Sequence, residues 1–128
     1  MILLLNTSAP LCKLTFIDGD WRHDNEWQAD RTLAKNLLGY LDKILSTHGK
    51  TWVDITAIGV FEGPGSFTGI RIGLTVLNTI ADARGIPIVG GRGENWQNEI
   101  LAKLQTGKNE KIILPFYNSE ANITVPRK

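Results

Sequence analysis

The sequence predicts an α/β fold built on a mixed sheet, and three observations carry that prediction. Short apolar runs near the N-terminus are separated by turn formers, as in an antiparallel meander; from Asp30 onward, stretches with helical spacing alternate with short apolar runs; and one such run, Ala57-Ile58-Gly59-Val60-Phe61, is apolar throughout, the pattern of a strand covered on both faces. With 128 residues, 42% of them hydrophobic and 21% charged, the chain has the size and composition of one globular unit, and residues 1–128 are expected to form a single domain.

The elements follow in order. Ile2 to Leu5 is a β-capable run closed by Asn6-Thr7-Ser8-Ala9-Pro10, a cluster of turn formers, and reads as a buried first strand. From Leu11 to Ile17 the residues alternate, Cys12, Leu14 and Phe16 on one face and Lys13 and Thr15 on the other, up to Asp18-Gly19, which favours a tight hairpin. Asp20 to Trp27 returns as a third strand with Trp21, His23, Asn25 and Trp27 on a covered side and Arg22, Asp24 and Glu26 on a solvated one. Between Asp30 and Ser46, Leu33, Leu37, Leu41, Ile44 and Leu45 recur at helical spacing, with Asp30 as the expected N-cap and Gly49 beyond the end. After the strand Ala57 to Phe61, a second helix should start at Ser66 to Thr68, whose hydroxyls can satisfy free N–H groups, and run to Gly85. Pro87 to Gly90 reads as a short strand. Trp96, Ile100, Leu101 and Leu104 mark a third helix between Asn95 and Gly107, and Lys111 to Tyr117 is expected to be a closing strand.

Composition removes several classes of function. Lys plus Arg number 14 against 13 Asp plus Glu, and a net charge of +1 excludes the basic footprint of a free-standing nucleic-acid binder. Cys12 is the only cysteine, so an internal disulfide and a cysteine-based zinc site are both impossible and a reducing, cytoplasmic setting is expected. Met1-Ile2-Leu3-Leu4-Leu5 lacks a basic flank and is far short of the roughly 20 apolar residues a membrane span needs. His23 and His48, the only histidines, are not three or four apart on one helix, and Asp18, Asp20, Asp24 and Glu26 read as solvated hairpin carboxylates. Ser66 has no His or Asp neighbour to activate it. No catalytic residue, metal site or cofactor is expected.

Two features could carry function. Gly63-Pro64-Gly65-Ser66-Phe67-Thr68-Gly69 joins a strand to a helix, and Gly63, Gly65, Ser66 and Thr68 could hold an anion at the helix start, although the run lacks the Lys of a phosphate-binding GxxxxGK[ST] loop and does not match GxGxxG. In the helix that follows, Gly69 and Gly73 share a face that admits a close neighbour, while Ile70, Leu74, Leu77 and Ala81 form one stripe and Ile72, Val76 and Ile80 another. An apolar belt this wide is covered either by the first helix or by a partner chain.

These residues carry a family resemblance. Met1-Ile2-Leu3-Leu4-Leu5-Asn6-Thr7-Ser8 before a hairpin, then Glu62-Gly63-Pro64-Gly65-Ser66-Phe67-Thr68-Gly69-Ile70-Arg71-Ile72-Gly73, then Gly85-Ile86-Pro87-Ile88-Val89-Gly90, resemble the TsaB (YeaZ) family, closely to about Gly90 and loosely beyond. The resemblance implies the first lobe of an actin-like ATPase (ASKHA, RNase H-like) fold. It also implies a non-catalytic scaffold that pairs with a TsaD-type transferase, with a TsaE-type ATPase or with itself, in forming threonylcarbamoyladenosine at position 37 of tRNA, with tRNA reached only through the complex. Family members pair through the first two helices, which makes Leu37, Leu41, Ile70, Gly73, Leu74, Leu77 and Ala81 the expected contact residues. Asn6 stands where the family usually has Asp and Glu62 where it has Arg, both unfavourable to phosphate chemistry. The family's second lobe is expected to be absent, with Lys111 to Val125 folding back as an extra hairpin. The alternative is a small nucleotide- or anion-binding protein using the Gly63–Gly69 loop.

Overall fold

Three consecutive leucines set the centre of the fold. Leu3, Leu4 and Leu5 are all buried, and because successive strand residues point to opposite faces, Leu3 and Leu5 pack into one hydrophobic layer and Leu4 into another. A computed structural model describes residues 1–116. Its elements are β1 (Ile2–Asn6), β2 (Leu11–Asp18), β3 (Trp21–Gln28), α1 (Leu33–Thr47), β4 (Ala57–Gly63), α2 (Phe67–Arg84), β5 (Ile88–Arg92) and α3 (Trp96–Gln105).

The sheet order is β3-β2-β1-β4-β5. β1 pairs antiparallel with β2, β2 antiparallel with β3, and β1, β4 and β5 run parallel. Cys12, Leu14 and Phe16 face the same layer as Leu3 and Leu5, beneath α1 and α2, as their alternation predicts. Cys12 lies there as a free thiol that burial pushes up to about 12. Leu4 joins Val89 and Ile100 beneath α3 on the opposite face. Each such leucine contributes roughly 1.5–3 kcal/mol on leaving water.

Helix boundaries follow local chemistry. The Ser66 hydroxyl accepts from the Gly69 N–H at the start of α2, and Gly85, in left-handed conformation at φ 65°, ends it. The expected Asp30 cap on α1 is corrected. Asp30 opens a short 3-10 turn (Asp30–Thr32), its carboxylate accepts from the Gln28 side-chain amide, and α1 starts at Leu33 with no side-chain cap.

The closing strand is also corrected. Lys111 to Phe116 forms no strand, and Tyr117, with most of the expected extra hairpin to Val125, lies outside the described residues. The physical reason is that the outward-facing backbone of β5 is already bound by side chains. The Asn109 side-chain Oδ1 accepts from the Ile88 N–H, the Glu110 carboxylate from the Gly90 N–H and the Glu99 carboxylate from the Arg92 N–H, while the Lys103 ammonium donates to the Gly90 carbonyl. The chain after Glu110 runs instead over α2, where the Asn78 carboxamide clasps both the N–H and the carbonyl of Ile113 at 2.8 Å. At Phe116 it reaches the glycine loop, where the Phe116 N–H donates to the Glu62 carbonyl.

Candidate functional site: the α1–α2 groove and the glycine loop

Gly69 and Gly73 bring α2 down onto the end of β1. A Cβ at Gly69 would overlap the Thr7 carbonyl and one at Gly73 the Thr7 side chain, while the Thr7 hydroxyl donates to the Gly69 carbonyl at 2.7 Å. The close approach expected from the two glycines is made to the chain's own backbone.

This docking decides which stripe of α2 faces inward. Of the residues expected from the sequence to make the partner contact, Leu37, Leu41, Ile70, Leu74, Leu77 and Ala81 are buried in the core between helices and sheet, and Gly73 is buried against Thr7. An amphipathic helix presents to a partner only the side it turns from its own sheet. On that side Ile72 and Val76 of α2 are half-buried and Thr68, Arg71 and Thr75 exposed, and on α1 Ala34 and Leu38 are exposed, Leu38 at 51%.

Between the two helices runs an open groove. A depression of about 830 Å³ is lined by Thr7, Pro10, Arg31, Ala34, Thr68 and Ile72, and it continues into one of about 380 Å³ that shares Ala34, Thr68 and Ile72 and adds Arg71, Thr75 and Val76. Its floor is apolar and its rim carries Asp30, Arg31 and Arg71, the last with its guanidinium 5.1 Å from the Phe67 ring centre.

The glycine loop closes the far end of the groove. Its geometry is inward-looking: the Ser66 N–H donates to the Ser8 carbonyl at 2.8 Å, the Gly69 N–H to the Ser66 hydroxyl and the Ile70 N–H to the Ser66 carbonyl. Gly65 lies against Ser8, where a Cβ would meet the Ser8 side chain at 2.5 Å. Gly63, Gly65, Ser66 and Thr68 are therefore brought together as a strap on the β1–β2 connection. Beside it Glu62, its side chain only 10% exposed, holds the Arg92 guanidinium at 2.9 Å, and Arg92 stacks on Phe116 at 4.2 Å. The Arg92 guanidinium thus neutralises the carboxylate next to the loop.

The hairpin carboxylates behave as solvated residues. Asp24 accepts from the Thr15 hydroxyl at 2.6 Å and pairs with Arg22, which together hold its carboxyl below the usual range. Among the described residues no three His, Cys, Asp or Glu side chains converge on a metal position. One arrangement was missed by sequence reasoning: His23 and His48, twenty-five positions apart, lie in ring contact. Their helical-spacing test could not find a pair that joins β3 to the end of α1.

A β3-β2-β1-β4-β5 sheet with α1 and α2 on one face and α3 on the other, a glycine loop after β4 and a groove between the first two helices define an actin-like (ASKHA) lobe. The family described as TsaD: tRNA N6-adenosine threonylcarbamoyltransferase matches residues 27–90, half of the 128-residue chain. The chain belongs to that family, on its TsaB (YeaZ) branch. The tRNA threonylcarbamoyladenosine biosynthesis protein TsaB of Haemophilus influenzae is 34% identical over 69% of this chain and 37% of its own length. The Escherichia coli protein of the same name is 29% identical over 70% and 38%. The structure of YeaZ from Pseudomonas aeruginosa superposes with a TM-score of 0.66 at 27% identity, over 71% of this chain and 43% of that one. The chain thus spans about two-fifths of the length of the relatives it matches.

Proposed function

We propose that this chain is a TsaB-type subunit that docks a TsaD-type transferase through the α1–α2 groove and supports threonylcarbamoyladenosine formation on tRNA at position 37 without carrying the chemistry itself. The observation that supports this reading is the groove: an apolar floor from Ala34, Ile72 and Val76 beside exposed Leu38, on the side of two helices turned away from their own sheet. A partner helix pair laid into it would remove that surface from water. The same groove would serve a second copy of the chain in the partner's absence, and a TsaE-type ATPase would join the assembled complex. The compartment in this reading is the cytoplasm; no helix among the described residues is long and apolar enough to cross a membrane.

A non-catalytic role is supported by the glycine loop, whose Ser66 and Gly69 amides are engaged with the Ser8 carbonyl and the Ser66 hydroxyl. Calorimetry of the isolated chain with ATP and Mg²⁺ is expected to show no binding; saturable heat would move the loop to the centre of the function.

Light scattering tests the docking. Mixed with the transferase from the same source, the chain should form a one-to-one complex, and Ala34→Glu and Leu38→Glu, at exposed positions, should abolish it while leaving the circular dichroism unchanged. In tRNA modification assays the wild-type chain should raise the transferase rate and Leu38→Glu should not. A wild-type chain that ignores the transferase would overturn the reading.

A further inference from the structure

His23 and His48 lie in ring contact, a pair of ligating side chains that neither the groove nor the glycine loop uses. His23 comes from the helix-facing side of β3 and His48 caps the C-terminus of α1. Their ring centres are 4.1 Å apart with the planes tilted by 58°. Trp21 stacks on His23 at 6.2 Å and meets His48 edge-on at 5.7 Å, and Phe16 closes the other side of His48 at 6.4 Å.

Aromatic packing accounts for the rings and leaves one atom unexplained. The His23 Nε2 is shut off from solvent and has no hydrogen-bond partner among the described residues, and a buried ring nitrogen in that state needs an explanation. Its nearest ring neighbour is a second imidazole, which carries the same donor chemistry. His48 also sits at the carbonyl end of α1, where the partial negative charge of a helix terminus favours a cation.

We propose that His23 and His48 form a two-imidazole site for a borderline divalent transition metal, Zn²⁺ or Cu²⁺, with water completing the coordination. Imidazole nitrogen suits these ions, whereas Mg²⁺ and Ca²⁺ take oxygen ligands. Two imidazoles bound through nitrogen at about 2.0 Å to one tetrahedral ion have ring centres about 5 Å apart, so the rings open by roughly 1 Å from their present contact. Trp21, 40% exposed, is the side chain that moves to admit the ion. The bound metal ties the edge strand β3 to the end of α1 and gives the orphaned Nε2 a partner.

The test uses the tag-free full chain, stripped with EDTA and dialysed. Calorimetry with ZnCl₂ should show one ion per chain, MgCl₂ should show none, and His23→Gln and His48→Gln should each weaken Zn²⁺ by about tenfold or more, the scale on which even outer-shell changes act. Cu²⁺ should quench Trp21, so that Trp21→Phe retains the metal and loses that part of the quench. The electron paramagnetic resonance spectrum of the Cu²⁺-loaded wild type should show nitrogen ligation, a readout that needs no variant to fold. Absence of saturable binding, a Cu²⁺ spectrum without nitrogen coupling, or binding that survives either histidine substitution would overturn the proposal.

Discussion

Gly73 shows how one missing side chain positions two elements. A Cβ there would press into the Thr7 side chain, and the neighbouring Gly69 has no room for one against the Thr7 carbonyl, while the Thr7 hydroxyl donates to the Gly69 carbonyl at 2.7 Å. Gly73→Ala should therefore lift α2 from β1 and destabilise the fold by about 1–3 kcal/mol, the range for overpacking a filled core. Urea denaturation checks it; an unchanged midpoint would mean that Thr7 yields by rotation alone. Leu74, 3% exposed, sets the complementary limit, because a charge there is buried against the sheet and Leu74→Glu should unfold the chain rather than separate it from a partner.

At the scale of elements, the strap from Asn109 to Phe116 is held by side-chain clasps in place of a strand ladder. Asn78→Ala leaves the N–H and carbonyl of buried Ile113 unpaired and should release the strap from α2. Hydrogen exchange at Ile113 and Phe116 should accelerate about tenfold or more, the factor that corresponds to losing roughly 1.4 kcal/mol, while amides of β1 keep their protection. Equal exchange in variant and wild type would place the anchoring elsewhere.

Element types were legible where one local signal decided them. Alternation marks β2, Gly19 at φ 61° turns the hairpin where Asp18-Gly19 predicts, and Ser66 and Gly85 bound α2. What stayed hidden depended on contacts remote in sequence. The two apolar stripes of α2 are equivalent by periodicity, and only the fit of Gly69 and Gly73 over Thr7 decides between them. The run Lys111 to Phe116 has the composition of a strand, yet Asn109, Glu110, Lys103 and Glu99 occupy the edge it would have joined. Of the candidate site, the glycine loop and the pair of helices can be read from the sequence, whereas the face that α2 turns from the sheet cannot, because it depends on how Gly69 and Gly73 fit over Thr7.

For the whole molecule, acid is the condition that tests the polar network on β5. The Arg92 N–H and Lys103 hold the Glu99 carboxyl below the usual range; burial alone would raise Glu110, but the Gly90 N–H and Lys103 outweigh it and lower it. Burial would likewise depress Lys103, and its bonds to Glu110 and Glu99 raise it instead. Because the two carboxyls are lower in the fold than in the unfolded chain, where they titrate near about 4.3, their contribution is complete above that pH and is lost as pH falls through the folded values. Denaturation curves from pH 7 to about pH 3 should show stability falling fastest below about pH 4.3. Glu110→Gln should lower stability at neutral pH and flatten the dependence. A variant curve parallel to the wild type would assign the acid sensitivity to other carboxylates.

Sheets that add strands end to end become fibres only when each newly added unit offers a fresh edge to the next. Among the described residues the backbone of β5 at Ile88, Gly90 and Arg92 is engaged by four side chains, which leaves β3 as the uncovered edge of the sheet. Any encounter through β3 joins two molecules and presents β5 on both outer sides, where strand addition stops. The side-chain cover on β5 thus acts as a chain terminator: at high concentration, β-mediated association of the folded protein is limited to pairs.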